Sequence, residues 1–101
     1  MNELQILFHN TGNSIDEVVN CFYQQNNKDG FEKLDNVIVN ISNLTLQILQ
    51  AVAGTDDQVV IERDINNLLI QLMNAMENLD VVLISDLLKY ELLVYFSGFF
   101  E

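Results

Sequence analysis

Proline is absent from this chain, and glycine occurs only four times. A chain without proline can run long helices unbroken. It also lacks the recurring turn residues that a sandwich or barrel of short strands needs. Basic residues are nearly as scarce. Four Lys and Arg stand against 15 Asp and Glu, for a formal net charge of −11. Nucleic acids and anionic membrane surfaces are bound through Lys/Arg patches, so the balance argues against both as partners. The acids are scattered, with no run longer than a pair such as Asp56-Asp57, so there is no acidic tail. A nucleic-acid mimic would need carboxylates spaced like phosphates, a spacing the linear order does not display.

The single cysteine, Cys21, excludes an internal disulfide. Three residues after Val18 and next to Phe22, it reads as a small apolar residue. No cation or histidine stands beside it in sequence to activate a thiol. The single histidine, His9, removes several catalytic classes at once. A di-iron bundle needs two Glu-x-x-His pairs. A Ser–His or Cys–His pair would have to use His9, which nothing nearby activates. No histidine follows Arg63, as a ribonuclease of the Arg-x-His type would need, and no Gly-rich phosphate loop is present. Asn27, Asp29 and Gly30 fit part of a calcium loop, but its first and twelfth positions fall on Gln25 and Asn36, which carry no carboxylate. Glu62/Asp64, Glu77/Asp80 and Asp86/Glu91 are near enough in sequence for acid–base work, yet they read as helix caps and solvated faces. No catalytic residue, metal ligand or cofactor site is expected.

Half of the 101 residues are hydrophobic and 19% are charged. That is one domain, residues 1–101, with enough apolar surface for a core that buries roughly 65% of what the unfolded chain exposes. The first residues have no basic n-region, and Leu4–Phe8 is too short for a signal-peptide core. Val81–Phe100 is apolar but carries Asp86, Lys89 and Glu91 near its centre, each costly in hydrocarbon. A cytoplasmic, soluble protein is the expectation. The glycosylation-like triplets at Asn40 and Asn43 then count as accidents of an Asn-rich chain.

Helical punctuation is frequent. Ser14 and Glu17 have capping-box spacing, and Ile15, Val18, Val19 and Phe22 follow at helical steps. They predict a helix over about 14–27, ended by the polar stretch Gln24–Gly30. Asp29 and Glu32 form a second box before Phe31, Leu34, Ile38, Ile41, Thr45, Ile48 and Val52, predicting a helix over about 30–53 that stops at Gly54. Thr55 and Gln58 form a third before Ile61, Ile65, Leu68, Leu72, Met76 and Leu79, for a helix over about 56–78. Asp80 caps a last helix over about 80–97. Residues 1–13 are uncertain: Leu4, Leu7 and Phe8 allow one short helix, which Thr11-Gly12-Asn13 breaks. The connections are short, so neighbours should run antiparallel. The expected fold is all-α, an antiparallel up-down bundle of three long helices plus one shorter N-terminal helix. Residues 35–41 and 66–72 look alike, as two amphipathic helices in an Asn-rich chain will.

The last helix is the informative one. At 100° per residue, Leu83, Leu87, Tyr90 and Val94 share a face, widened by Ile84, Leu88 and Tyr95. Leu92, Leu93 and Phe96 fall towards the other sides, so the helix turns apolar nearly all round and Phe99 and Phe100 extend it. One small bundle cannot surround a peripheral helix. The surplus therefore predicts a partner surface of Leu92, Tyr95, Phe96, Phe99 and Phe100, shared with a second copy or another protein. The alternative is that residues 1–13 fold back over it. Glu91 falls inside this apolar arc, where an unpaired carboxylate is expensive. It is expected at the rim of a groove, with Asp86 and Tyr90 as the other members of a polar site.

The segment from Asn78 to Leu92, with Asp80 opening the helix and Asp86-Leu87-Leu88-Lys89-Tyr90-Glu91-Leu92 following, resembles the closing segment of small helical proteins of clostridia and related Gram-positive bacteria. Their signature is Asp-Leu-Leu-x-Tyr-Glu-Leu. That family continues with a proline, near whose place Val94 stands here. The resemblance covers about fifteen residues closely and the rest by helical pattern alone. It implies a helical domain with no known enzyme activity, and some members lie beside flagellar or secretion functions, which implies a chaperone-like role.

The resulting expectation is a non-enzymatic protein–protein interaction module, a cytoplasmic homodimer joined by its C-terminal helix, in its specific form a small export or assembly chaperone holding an amphipathic helix in an apolar groove. Two alternatives belong to other classes. One is a small-molecule or metal-binding protein using Asp86 and Glu91. The other is an acidic antitoxin or inhibitor of a basic protein, whose association would be strongly salt-sensitive.

Overall fold

In the computed structural model, which describes residues 2–100, the chain is all-helical, with four helices and no strand among the described residues. Helix α1 is Glu3–Tyr23, α2 is Asn27–Val52 and α3 is Gln58–Glu77. Helix α4 is continuous over three stretches: α-helical Val81–Asp86, π-helical Leu87–Leu92 and α-helical Leu93–Ser97.

The first helix differs most from the expectation of 14–27. It begins eleven residues earlier, because Asn2 and Gln5 form the capping box that opens it. The Gln5 N–H donates to Asn2 Oδ1 at 2.8 Å and the Asn2 N–H donates to Gln5 Oε1 at 3.3 Å. An amide pair does here what Ser and Glu were expected to do at 14 and 17. Ser14 and Thr11 lie inside the helix, where their hydroxyls donate back to carbonyls of the preceding turn, Thr11 to Leu7 at 2.7 Å and Ser14 to Thr11 at 2.9 Å. Gly12 does not break the helix. Its bare Cα faces Leu93 of α4 across ordinary contact distance.

Two helix ends carry no glycine. After α1, the Asn26 N–H donates to the Cys21 carbonyl and the Gln25 N–H to that of Phe22. After α3, Asp80 and Leu79 repeat the pattern towards Ala75 and Met76. Both are Schellman ends, and both put a side chain in the left-handed region: Gln25 at φ 60° and Leu79 at φ 53°. Gly54, beyond the end of α2, takes φ 79° as its type suggests. The Thr55/Gln58 box serves the end of α2 instead of the start of α3. Thr55 Oγ1 donates to the Val52 carbonyl and Gln58 Oε1 accepts from the Gly54 N–H. The second box is displaced too: α2 starts at Asn27, and Asp29 accepts from the Asn26 side chain. Asp80 caps α4 as expected, accepting from the Leu83 N–H at 3.1 Å.

Helices α1 and α2 run past each other in opposite directions, fastened by Phe22 against Gly30 at the turn and by Asn40 donating to Ser14 Oγ at 3.2 Å further along. Helix α4 packs on α3 and on α1. The buried residues of α2 are Gly30, Leu34, Val37, Ile41, Leu44 and Ile48, alternating steps of four and three. Thr11, Ile15, Val18 and Phe22 of α1 keep the same rhythm. That alternation averages close to the 3.6 residues of an α-helical turn, so each set stays on one face. A fully buried Leu or Ile of such a stripe contributes roughly 1.5–3 kcal/mol.

Candidate protein-binding surface

Helix α4 breaks the rhythm. Its innermost residues are Ile84, Leu88, Leu92 and Phe96, each 0% exposed and each four residues after the last. Over those twelve residues a straight α-helix would rotate the last of them about 120° away from the first. The π stretch removes the drift. Its wider turn, closed at the end by the Leu93 N–H donating to the Leu88 carbonyl five residues back, takes up one extra residue. The four apolar side chains thus stay in line beneath the helix.

The same correction straightens the outer face. Val82, Asp86, Tyr90 and Val94 are also four apart and all exposed, with Val82 at 69% and Tyr90 and Val94 at 58%. Leu79 and Leu83 extend this strip at its start. Lys89, half-buried, lies against it with Nζ 5.8 Å from the centre of the Tyr90 ring. Among the described residues the ion pairs are Lys33 with Glu17 and Arg63 with Asp64, so neither Lys89 nor Asp86 is paired within the chain.

The expected partner residues are therefore divided. Leu92 and Phe96 are core side chains, 0% exposed, and offer nothing to a partner. Phe100 is half-buried and stacks on Phe8, ring centres 4.5 Å apart and planes at 20°. The N-terminal part of α1 has folded over the end of α4, which was the alternative reading of the apolar surplus. Tyr95 is half-buried towards α3, and Phe99 stays exposed, edge-on to Tyr95 at 5.7 Å. Of the faces expected from a 100° wheel, Tyr90 and Val94 point outwards instead of inwards, because the wheel assumed 3.6 residues per turn where the helix is wider. Val82 and Val94 were missed as surface residues. The signal was present, as the four-residue spacing of Ile84, Leu88, Leu92 and Phe96.

The expected polar trio is dispersed as well. Asp86 and Tyr90 belong to the outer strip. Glu91 is exposed and lines a shallow hollow of about 270 Å³ with Asp64, Asn67, Leu68 and Tyr95. There the Tyr95 hydroxyl donates to Asp64 Oδ2 at 3.3 Å. Burial raises the Tyr95 phenol above its ordinary value of 10.0; the Asp64 charge and hydrogen bond add to the rise, and Arg63 opposes it. Among the described residues no three His, Cys, Asp or Glu side chains come together to hold a metal ion. A second, more apolar groove of about 390 Å³ runs between α1 and α4, with Phe8, Gly12, Leu93 and Val94 in its walls and His9 and Asp16 at its edge. Among the described residues no helix is long and apolar enough to cross a membrane.

Such a molecule is an all-helical domain whose last helix is buried on one side and exposes several apolar side chains on the other. Over residues 1–101 it belongs to the family described as Domain of unknown function (DUF8042). No curated protein and no solved structure matches the chain.

Proposed function

We propose that the chain is a non-enzymatic protein–protein interaction module of the cytoplasm, working as a homodimer joined through the outer face of α4. The observation that carries the reading is the strip of Val82, Leu83, Tyr90 and Val94, exposed along one helix with one acid among them and preceded by exposed Leu79 in the turn before the helix. A contiguous apolar strip in water is stabilised by being covered. In this reading the four helices form an up-down bundle, and α1 holds α4 in place so that its outer face is presented. The specific form of the role is a small export or assembly chaperone, supported by the resemblance of Asn78–Leu92 to the closing segment of clostridial helical proteins.

Light scattering tests it. The chain weighs 11.6 kDa, and the expected mass is twice that at high protein concentration. Replacing Val82 and Val94 together by Lys should return the mass to that of one chain with helix content unchanged. A single-chain mass for the unsubstituted protein at every concentration contradicts the reading. Salt separates it from an acidic inhibitor of a basic protein. Screening weakens the attraction of opposite charges but relieves the repulsion between two chains of −11, so homodimerisation should strengthen with ionic strength.

A further inference from the structure

Resting on the homodimer reading, we infer that the two copies meet as an antiparallel pair of α4 helices centred near residue 88, with Val82 against the partner's Val94 and Asp86 against the partner's Tyr90 and the partner's Lys89.

The order of side chains on the outer line carries the inference. The π stretch keeps Val82, Asp86, Tyr90 and Val94 evenly spaced and in line, and their midpoint falls at residue 88. A two-fold interface places one surface patch against itself, so the line must be complementary to its own reverse. It is: the apolar ends meet apolar ends, and the acid meets a phenol able to donate to it. The ammonium of Lys89 lies beside the Tyr90 ring, where the incoming carboxylate arrives. Both Asp86 and Lys89 are unpaired within the chain among the described residues, and the dimer pairs each of them, so that the two-fold makes the Asp86–Lys89 contact twice. Parallel docking would set Asp86 on the partner's Asp86 and leave both lysines without an acid opposite. Electrostatics on the larger scale favours the same face. Asp86 and Glu91 against Lys89 leave α4 with −1 of the chain's −11, so the helix that docks itself carries little of the chain's charge.

One helix pair is a small interface, below the roughly 1,200 Å² of a standard complex, so the dimer should be weak and concentration-dependent. Covalent trapping suits that case. In a Cys21→Ser background, chains carrying Val82→Cys mixed with chains carrying Val94→Cys should form a disulfide-linked pair under mild oxidation. Val82→Cys alone should not, because antiparallel docking holds the two copies of that residue twelve residues, about 18 Å, apart, beyond the roughly 7 Å a disulfide spans. As a second measurement, Asp86→Lys and Lys89→Asp should each weaken association about tenfold, with the double exchange restoring it. Linkage through Val82→Cys alone, or a dimer mass without linkage of 82 to 94, overturns this pairing while leaving the homodimer reading intact. The second of those results would direct attention to the groove between α1 and α4. A single-chain mass for the unsubstituted protein overturns both.

Discussion

The ring of Phe8 lies on the ring of Phe100, centres 4.5 Å apart, and so ties the first turns of α1 to the residues just beyond α4. Both rings are half-buried, and an offset aromatic pair contributes about 0.5–1.5 kcal/mol beyond the area it covers. Phe8→Ala and Phe100→Ala should each lower the unfolding free energy, and the double variant should cost less than their sum by about 1 kcal/mol. Denaturant unfolding of the four proteins measures it. Strict additivity would mean that the two ends of the chain are not held together in solution.

At Gly30 the Phe22 ring of α1 lies directly against the backbone of α2. A Cβ there would run into the Phe22 ring, with Cδ1 2.7 Å away. Alanine gains up to about 1 kcal/mol as a helix former but loses roughly 1–3 kcal/mol to overpacking. The net expectation for Gly30→Ala is destabilisation of about 1–2 kcal/mol, partly relieved when Phe22→Leu is added. Thermal melts of the single and double variants check both the sign and the rescue.

Leu79 shows the opposite case, a side chain where glycine would serve better. Its φ of 53° is in the left-handed region and its side chain is exposed. A non-glycine residue there costs about 1–2 kcal/mol, offset by the extra freedom glycine has when unfolded. Leu79→Gly should raise stability by about 0.5–1 kcal/mol, read as a higher denaturant midpoint with an unchanged slope.

The half-buried phenol of Tyr95 links stability to alkaline pH. Because its folded value is raised, the folded state holds this proton more tightly than the unfolded chain. The stabilisation is therefore complete below the unfolded value near 10 and is lost as pH climbs through the folded one. Stability should fall above pH 10, and Tyr95→Phe should flatten that part of the curve. Spectrophotometric titration should lose its last tyrosinate component in the same variant.

Most of the architecture was legible in the order of residues. The Gly54 stop and the Asp80 cap lie where capping chemistry put them, and the α2 and α3 stripes do so in part: Val37 and Leu44 are buried although the expected α2 stripe passed them by, and Leu79, expected to end the α3 stripe, is exposed beyond that helix. The errors have local causes. Asn2 and Gln5 cap α1 with amides in place of the Ser and Glu of the usual box, and α1 consequently covers apolar surface that was expected to be bare. Gln25 and Leu79 end helices without announcing it, because left-handed ends are usually marked by glycine. Leu92 and Phe96 were assigned to a partner because 3.6 residues per turn throws them off the inner face. Leu92 and Phe96 are core residues, and the exposed apolar side chains of α4 lie on its other side.

The two faces of α4 depend on the extra residue that the π stretch accommodates, and removing one residue tests that dependence. With Lys89 deleted, the inner positions Ile84, Leu88, Leu92 and Phe96 fall at steps of four, three and four, the rhythm of an ordinary α-helix, so the core contacts survive. Deleting Asn66 from α3, a regular helix, rotates everything after it by about 100° and misplaces Leu72 and Ala75. Thermal unfolding followed by circular dichroism should show the Lys89 deletion melting cooperatively within about 5 °C of the intact protein, while the Asn66 deletion loses its cooperative transition. If the Lys89 deletion is the one that fails to melt cooperatively, α4 has no residue to spare, and the face assigned to the partner is the wrong one.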